Sequence, residues 1–237
     1  MKKETFFQRY EVKYLLTKAQ QAQLLLRAGE RLVPDEYSHS SIRNLYLDTP
    51  DFRLIRRSLE RPVYKEKLRL RSYGPADEEH PVFLELKKKY RSIVYKRRLT
   101  LPYRQAMGCL RAELPWPDTQ IGGEIDYAMH FYPDLEPRVY LSYERDSWKE
   151  AEGGLRLTFD EAIRFRTEAL TLDSQPWGTA QLQDNQVLME LKAPGAIPLW
   201  MVHILTDMGL YKTSFSKYGT AYKMMLDQKD TGVKRYA

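Results

Sequence analysis

Six segments of the chain alternate charged with apolar residues at a period of two, and no other feature restricts the fold as strongly. Successive side chains of a β-strand point to opposite faces, so residues two apart lie on one side of a sheet. Arg9, Glu11 and Lys13 share a face of RYEVKYL, and Lys67, Arg69 and Arg71 share a face of VYKEKLRLRS opposite Leu68 and Leu70. Glu85 and Lys87 oppose Leu84 and Leu86; Lys96 and Arg98 follow, then Arg156, Thr158 and Asp160, and finally Glu190 and Lys192. Arg145 adds a cation on a further strand pattern. A solvated sheet face usually mixes charge signs and uses Thr, Ser and Gln freely, whereas these rows are mostly cationic.

Between the strand patterns the chain reads as helix and turn. Thr17 and Gln20 form a T-x-x-Q capping box, predicting a helix through Leu24 and Leu25 that ends near Pro34. Strands are predicted over 41–48, 63–72, 82–88, 93–101, 138–145, 155–160 and 187–192, with short helices after Pro102 and over 124–133. The polar stretch 173–186 reads as the longest loop. Pro198 opens a helix that Gly209 closes, and Ser214 or Ser216 starts the last one, through Tyr222 and Met225.

Helices need a surface to cover, and the apolar strand faces supply it. The expected fold class is therefore α+β, a closed antiparallel β-barrel with helices packed outside, and residues 1–237 form a single domain with no internal repeat. In such a barrel the charged rows would point inward, lining a cavity with cations. Two like charges ~4 Å apart repel by about 1 kcal/mol in water and about 4 kcal/mol at an effective dielectric of 20, so the cavity calls for a polyanion. Arg offers a planar fork to phosphate oxygens and Lys a point charge, which makes phosphate chains the fitting anion. The carboxylates Glu11, Glu85, Asp160 and Glu190 have two readings: posts for Mg²⁺ or Mn²⁺ bridged to phosphate, or ion pairs that neutralise a neighbouring cation.

Composition narrows the classes. Hydrophobic residues at 43% exclude a disordered chain. The single cysteine, Cys109, cannot form an internal disulfide, and with four scattered histidines it supplies no structural zinc set. No apolar run reaches the ~18 residues that span a bilayer, and the N-terminus is broken by charges, so a soluble, cytoplasmic protein is expected. The charge balance, 38 Lys and Arg against 32 Asp and Glu, is +6 and favours polyanions. Nucleic acid is not the expected partner, because no zinc finger, helix-turn-helix or RNP-like motif is visible. There is no P-loop or G-x-G-x-x-G, so a nucleotide would be held by side chains on strands. Tyr46 and the other strand tyrosines read as ordinary aromatic packing, His39 and the remaining histidines as incidental, and Cys109 as a small core residue.

The stretches RYEVKYLL, LYLDTPDF, KLRLRSYG, FLELKKK, VYKRRL, YERDSW, LRLTFD, VLMELK and SFSKYGTAY, in this order along the chain, resemble the VTC (vacuolar transporter chaperone) polyphosphate polymerase domain, within the triphosphate tunnel metalloenzymes that also include the CYTH enzymes. The resemblance implies a basic β-tunnel holding the triphosphate of a nucleotide or a growing polyphosphate. It implies phosphate contacts from Lys13, Arg69, Arg71, Lys87, Lys96, Arg145 and Arg156, with Ser216 and Lys217 contributed by the last helix. Glu190 matches the family's metal-binding glutamate. Glu85 and Asp160 are candidates for the same metal, and Glu11, Lys67, Arg98 and Lys192 for substrate binding.

The activity so implied is a metal-dependent phosphotransferase, a polyphosphate polymerase that passes the γ-phosphate of ATP to a polyphosphate chain with Mn²⁺ or Mg²⁺ as cofactor. Lys and Arg would neutralise the transferring group and align attacking and leaving oxygens. Two rivals use the same parts: a triphosphatase hydrolysing tripolyphosphate or nucleoside triphosphates, and a non-catalytic phosphate-binding module. Expected partners are ATP and inorganic polyphosphate, with a membrane protein as a candidate companion. Arg71→Ala and Lys87→Ala are expected to weaken triphosphate binding with little loss of fold.

Overall fold

A computed structural model describes residues 10–91 and 93–233, with the side chains of 229–233 left aside; Arg9, counted above on the first strand, lies outside these residues. The elements follow in the order β1 (Tyr10–Thr17), α1 (Lys18–Ala28), β2 (Leu32–Asp48), α2 (Arg53–Leu59), β3 (Tyr64–Tyr73), β4 (Pro81–Tyr90), β5 (Ile93–Pro102), α3 (Tyr103–Leu110) and α4 (Gln120–Phe131). Then come β6 (Glu136–Glu150), β7 (Arg156–Arg166), β8 (Thr179–Ala180), β9 (Gln186–Ala193), α5 (Leu199–Asp207), β10 (Lys212–Thr213) and α6 (Lys217–Val233).

The sheet does not close, which corrects the barrel expected from the sequence. Its hydrogen-bonded order is β10-β1-β9-β7-β6-β2-β3-β4-β5, with β8 paired to β7, and no ladder among the described residues joins the end strands β10 and β5. The residue registers found in this order are antiparallel. Alternation at period two specifies two unlike faces and nothing about closure, because an open sheet and a barrel share that period. Without a closing ladder, the charged rows are faces of adjacent strands.

Two further differences concern element ends. The first helix stops at Ala28, because Gly29 takes a positive φ of 54° and its N–H donates to the Leu25 carbonyl. The chain then enters β2 nine residues earlier than the predicted strand, at Leu32. The expected loop 173–186 contains the short strand β8, and β10 lies between α5 and α6 where no strand was predicted. The Thr17 capping box is present as read, with the Gln20 N–H donating to Thr17 Oγ1 at 3.1 Å and the Thr17 N–H to Gln20 Oε1 at 2.9 Å.

The chain folds as two compact units. Among the described residues, one comprises 10–40, 143–163 and 182–215, the other 41–91, 93–142, 164–181 and 216–233. In the first, Leu16, Leu24, Leu157, Met189, Leu191 and Met201 form a core beneath β1, β9, α1 and α5. In the second, the apolar faces of β3 and β4 (Leu68, Leu70, Leu84, Leu86) pack with Ala106 of α3 and with Ile125 and Ala128 of α4. Each such leucine contributes roughly 1.5–3 kcal/mol on burial. This packing commits one face of β3, β4 and β5 to the helices and leaves the charged face for other work.

Candidate functional site: cationic rows on β3, β4 and β5

Register turns the charged residues of the second unit into rows across three adjacent strands. Lys67 stands opposite Lys87, and Lys87 opposite Lys96. One step along, Arg69 faces Glu85, which faces Arg98; a further step sets Arg71 opposite Phe83. Like charges placed directly opposite on neighbouring strands destabilise a sheet. A row of three lysines therefore requires either a built-in counter-anion or a ligand.

Glu85 is the built-in anion, and it is 2% exposed. Its Oε2 accepts from Arg69 Nε at 2.8 Å and Nη2 at 2.6 Å, and its Oε1 accepts from Arg98 Nε at 2.9 Å and Nη2 at 2.5 Å, with Lys96 Nζ at 2.6 Å from Oε1. Burial opposes ionisation of this carboxyl, but the charges of Arg69, Arg71 and Lys96 prevail and hold it well below the usual glutamate range. One carboxylate thus organises the Arg–Lys cluster and leaves Lys87 aside: Lys87 is exposed, and its side chain makes no hydrogen bond or ion pair among the described residues. Arg71 is buried, its Nε donating to Asn44 Oδ1 at 2.9 Å.

The start of α6 borders the row. Ser216 Oγ accepts from Lys67 Nζ at 3.1 Å and from the Gly219 N–H at 3.2 Å, so one hydroxyl caps the helix and touches the first lysine. Lys217 follows as a buried residue whose carbonyl accepts from Gln181 Nε2. Tyr218 stacks on Tyr46 with ring centroids 4.4 Å apart. Asp48, fully buried at the end of β2, accepts from the N–H groups of Thr49, Leu54 and Ile55, anchoring the first turn of α2. The LYLDTPDF and SFSKYGTAY stretches are joined through this contact.

Two tyrosines join the cluster that sequence reasoning had assigned to packing or left unmentioned. Tyr46 Oη accepts from Arg69 Nη1 at 3.0 Å. Burial would raise its pKa, but Arg69, Lys67 and Arg71 lower it to about 8. Tyr73 is pulled down too, with burial opposing and Arg71 and Arg98 prevailing. The available signal was register, since Tyr46 lies opposite Arg69 and Tyr73 two residues beyond Arg71 on one face.

The remaining predicted residues form a separate set in the first unit. Lys13 stands opposite Glu190, which stands opposite Thr158; Glu11 stands opposite Lys192, and Lys192 opposite Arg156. Glu190 Oε1 lies 3.0 Å from Lys13 Nζ, and Oε2 lies 3.1 Å from Lys192 Nζ and 3.9 Å from Arg145 Nη2. Lys13 Nζ also reaches Glu11 at 3.7 Å. Arg145 holds Asp160 by a bidentate pair of 2.5 and 2.7 Å. Arg156 pairs with Asp35. Thr158 Oγ1, buried beside Glu190, has no hydrogen-bond partner among the described residues. His39, read as incidental, sits between Asp146 at 2.8 Å and Glu144 at 3.4 Å, and both carboxylates raise its pKa, the Asp146 hydrogen bond most.

The carboxylates named as metal posts do not fit a metal held by protein groups alone. Glu85 and Asp160 have their oxygens taken by guanidinium groups, and Glu190 is bracketed by two lysines. No group of three or more His, Cys, Asp or Glu side chains among the described residues is placed to hold an ion. Of the two readings open in the sequence, the ion pair describes Glu85 and Asp160.

Comparison with known proteins places this geometry. The model of the VTC domain family matches residues 8–226, and the chain belongs to that family. The fold is shared with a Bacillus halodurans protein provisionally assigned as an adenylate cyclase, at 19% identity over 87% of this chain and 92% of the other, with a TM-score of 0.54. It is shared as well with a Hippeastrum protein provisionally assigned as an adenylyl cyclase and described as having a dominant triphosphatase activity, at 17% identity over 88% and 92% of the two chains, with a TM-score of 0.52. No curated protein matches the chain significantly. No described helix is long and apolar enough to cross a membrane.

Proposed function

We propose that this VTC-family chain binds the triphosphate end of a nucleotide or an inorganic phosphate chain on the β3–β5 rows and cleaves its terminal phosphoanhydride bond. The observation that carries the reading is the in-register row Lys67, Lys87 and Lys96, next to an Arg69–Glu85–Arg98 row that contains one carboxylate. Strands ~4.8 Å apart set the three lysines side by side on one face, where their flexible stems let the ammonium groups reach oxygens along an extended phosphate chain. Arg69, Arg98 and Lys96 are held in place by Glu85 before substrate arrives, so they need little reorganisation as charge develops on the transferring group.

Hydrolysis is the preferred reaction. A water oxygen attacks the terminal phosphorus, the bond to the bridging oxygen breaks, and orthophosphate leaves together with a shortened chain. Phosphoryl transfer asks chiefly for charge neutralisation and alignment, which these side chains supply. The described activity of the Hippeastrum protein with the same fold supports water as the acceptor. Membership of the VTC family supports a second reading, in which a phosphate chain takes the place of water and ATP yields ADP and a longer polymer.

Mg²⁺ or Mn²⁺ would enter with the phosphate substrate, held by phosphate oxygens. The expected setting is the cytoplasm, where nucleoside triphosphates are available. The deciding experiment incubates the purified full chain with tripolyphosphate, and separately with ATP, in the presence of either metal. Orthophosphate and a shortened chain support hydrolysis; ADP with a polymer ladder on a polyphosphate gel supports extension. Tight binding with neither product assigns a binding module and overturns both.

A further inference from the structure

The β4–β5 hairpin carries its apolar side chains beyond the helices that cover its base. Leu84 and Leu86 are buried with Ile125 and Ala128 of α4. Near the start of α4, Glu124 accepts from Arg97 Nε at 3.0 Å and lies 3.8 Å from Lys88 Nζ. Past this point the cover ends: Tyr90, Ile93, Val94 and Tyr95 are 43%, 52%, 47% and 46% exposed. Tyr90 stands opposite Ile93 and Lys88 opposite Tyr95, so Tyr90, Ile93 and Tyr95 share the outer face. The Arg91 N–H donates to the Val63 carbonyl at 3.1 Å, bringing a further exposed aliphatic residue to the tip.

The charge around this cluster is mostly basic, although Glu124 offsets Arg97 and Lys88 and Glu66 stands opposite Lys88. No acidic residue occurs between 86 and 98, while Lys88, Lys89, Arg91 and Arg97 do. Arg91 lies over the Tyr90 ring at 5.3 Å. Burial lowers the pKa of Lys65, and the nearby charges of Lys89 and Arg61 lower it further, so the collar repels itself. β5 is also an end strand of the sheet. Sheet edges are ordinarily blunted with charge, and contiguous exposed apolar groups mark a surface that meets something.

We propose that this tip docks the protein on an anionic lipid bilayer. Val63, Ile93 and Val94 enter the acyl boundary, and Tyr90 and Tyr95 sit at headgroup level with their hydroxyls in water. Lys89 and Arg91 meet the negative headgroups. The aliphatic residues favour a bilayer over nucleic acid, because they offer no stacking surface for bases yet gain from leaving water. The inference is independent of which phosphate reaction the rows perform.

The test sediments the full chain with vesicles of phosphatidylcholine alone, or of phosphatidylcholine with one third phosphatidylserine. The comparison protein is the double variant Ile93→Ser, Tyr95→Ser, which keeps every charge and touches no residue of the rows. The wild type is expected to sediment with the anionic vesicles only, and the double variant to bind them roughly tenfold more weakly, with an unchanged circular dichroism spectrum and melting temperature. Equal binding by the variant, or no binding by the wild type, overturns the proposal. So does displacement from vesicles by saturating tripolyphosphate, which assigns the headgroups to the cationic rows. Variant-sensitive binding to single-stranded RNA with unaltered vesicle binding assigns the tip to nucleic acid and overturns it as well.

Discussion

The Tyr218 hydroxyl donates a 2.8 Å hydrogen bond to Asp48 Oδ2, tying the first turn of α6 to the end of β2. Burial and the Asp48 charge raise the Tyr218 pKa, so the phenol remains a donor across the accessible pH range. Through this bond Ser216 is held against Lys67. Tyr218→Phe keeps the ring on Tyr46 and removes only the donor. The expected cost is about 1–2 kcal/mol, read as a lower melting temperature, together with a several-fold weaker affinity for tripolyphosphate in calorimetry. An unchanged affinity would show that α6 does not serve the rows.

Tyr46 supplies a spectroscopic handle. Its phenol should titrate near pH 8, visible as a rise in absorbance at the phenolate wavelength that is absent in Tyr46→Phe. The folded pKa is depressed below the ordinary value of about 10, so ionisation adds stability that is complete above that value and lost as pH falls through about 8. A bound polyanion offsets Arg69, Lys67 and Arg71, so saturating tripolyphosphate should move the titration to higher pH. No movement would place the phosphates away from Tyr46.

Glu85 should behave oppositely in stability and in binding. Its folded pKa is depressed, so its stabilising pairs are fully present above the ordinary glutamate value of about 4.3 and are lost progressively as pH falls below it. Glu85→Gln should flatten the loss of stability in that acid window. At neutral pH the variant should be roughly 2–3 kcal/mol less stable. That is below the cost of breaking a fully buried pair, because Arg98 and Lys96 are partly solvated. Freed of their internal anion, the cations should bind tripolyphosphate more tightly and raise the melting temperature on addition of ligand more than in the wild type.

Lys87 and Arg71 separate binding from folding. Lys87 is exposed, so Lys87→Ala should leave the melting temperature within a degree or so of the wild type while weakening triphosphate binding several-fold and reducing its salt dependence. Arg71 is buried on Asn44, so Arg71→Ala should lower both stability and affinity, unlike the mild effect its row position alone implies.

Glu190 tests the second set. Glu190→Gln removes the shared partner of Lys13 and Lys192, so affinity for tripolyphosphate should stay similar or rise while metal-dependent turnover falls. Turnover equal to the wild type with both metals would remove Glu190 from the reaction.

The residues that face one another were legible from the sequence to the extent that they obey strand periodicity. Lys67, Arg69 and Arg71 could be set on one face without coordinates, and the Thr17–Gln20 cap could be read from four residues, because each depends on near neighbours along the chain. Closure of the sheet depends on whether the end strands meet, and nothing local encodes that pairing. The duty of each carboxylate was equally invisible: Glu85 and Asp160 differ from metal posts only in having guanidinium forks brought to them by other strands. The tertiary structure likewise decided that Tyr46 is an acceptor for Arg69 and that Tyr218 reaches Asp48, 170 residues away. Periodicity is a property of adjacent residues, whereas charge compensation and edge pairing belong to residues that only the fold makes neighbours.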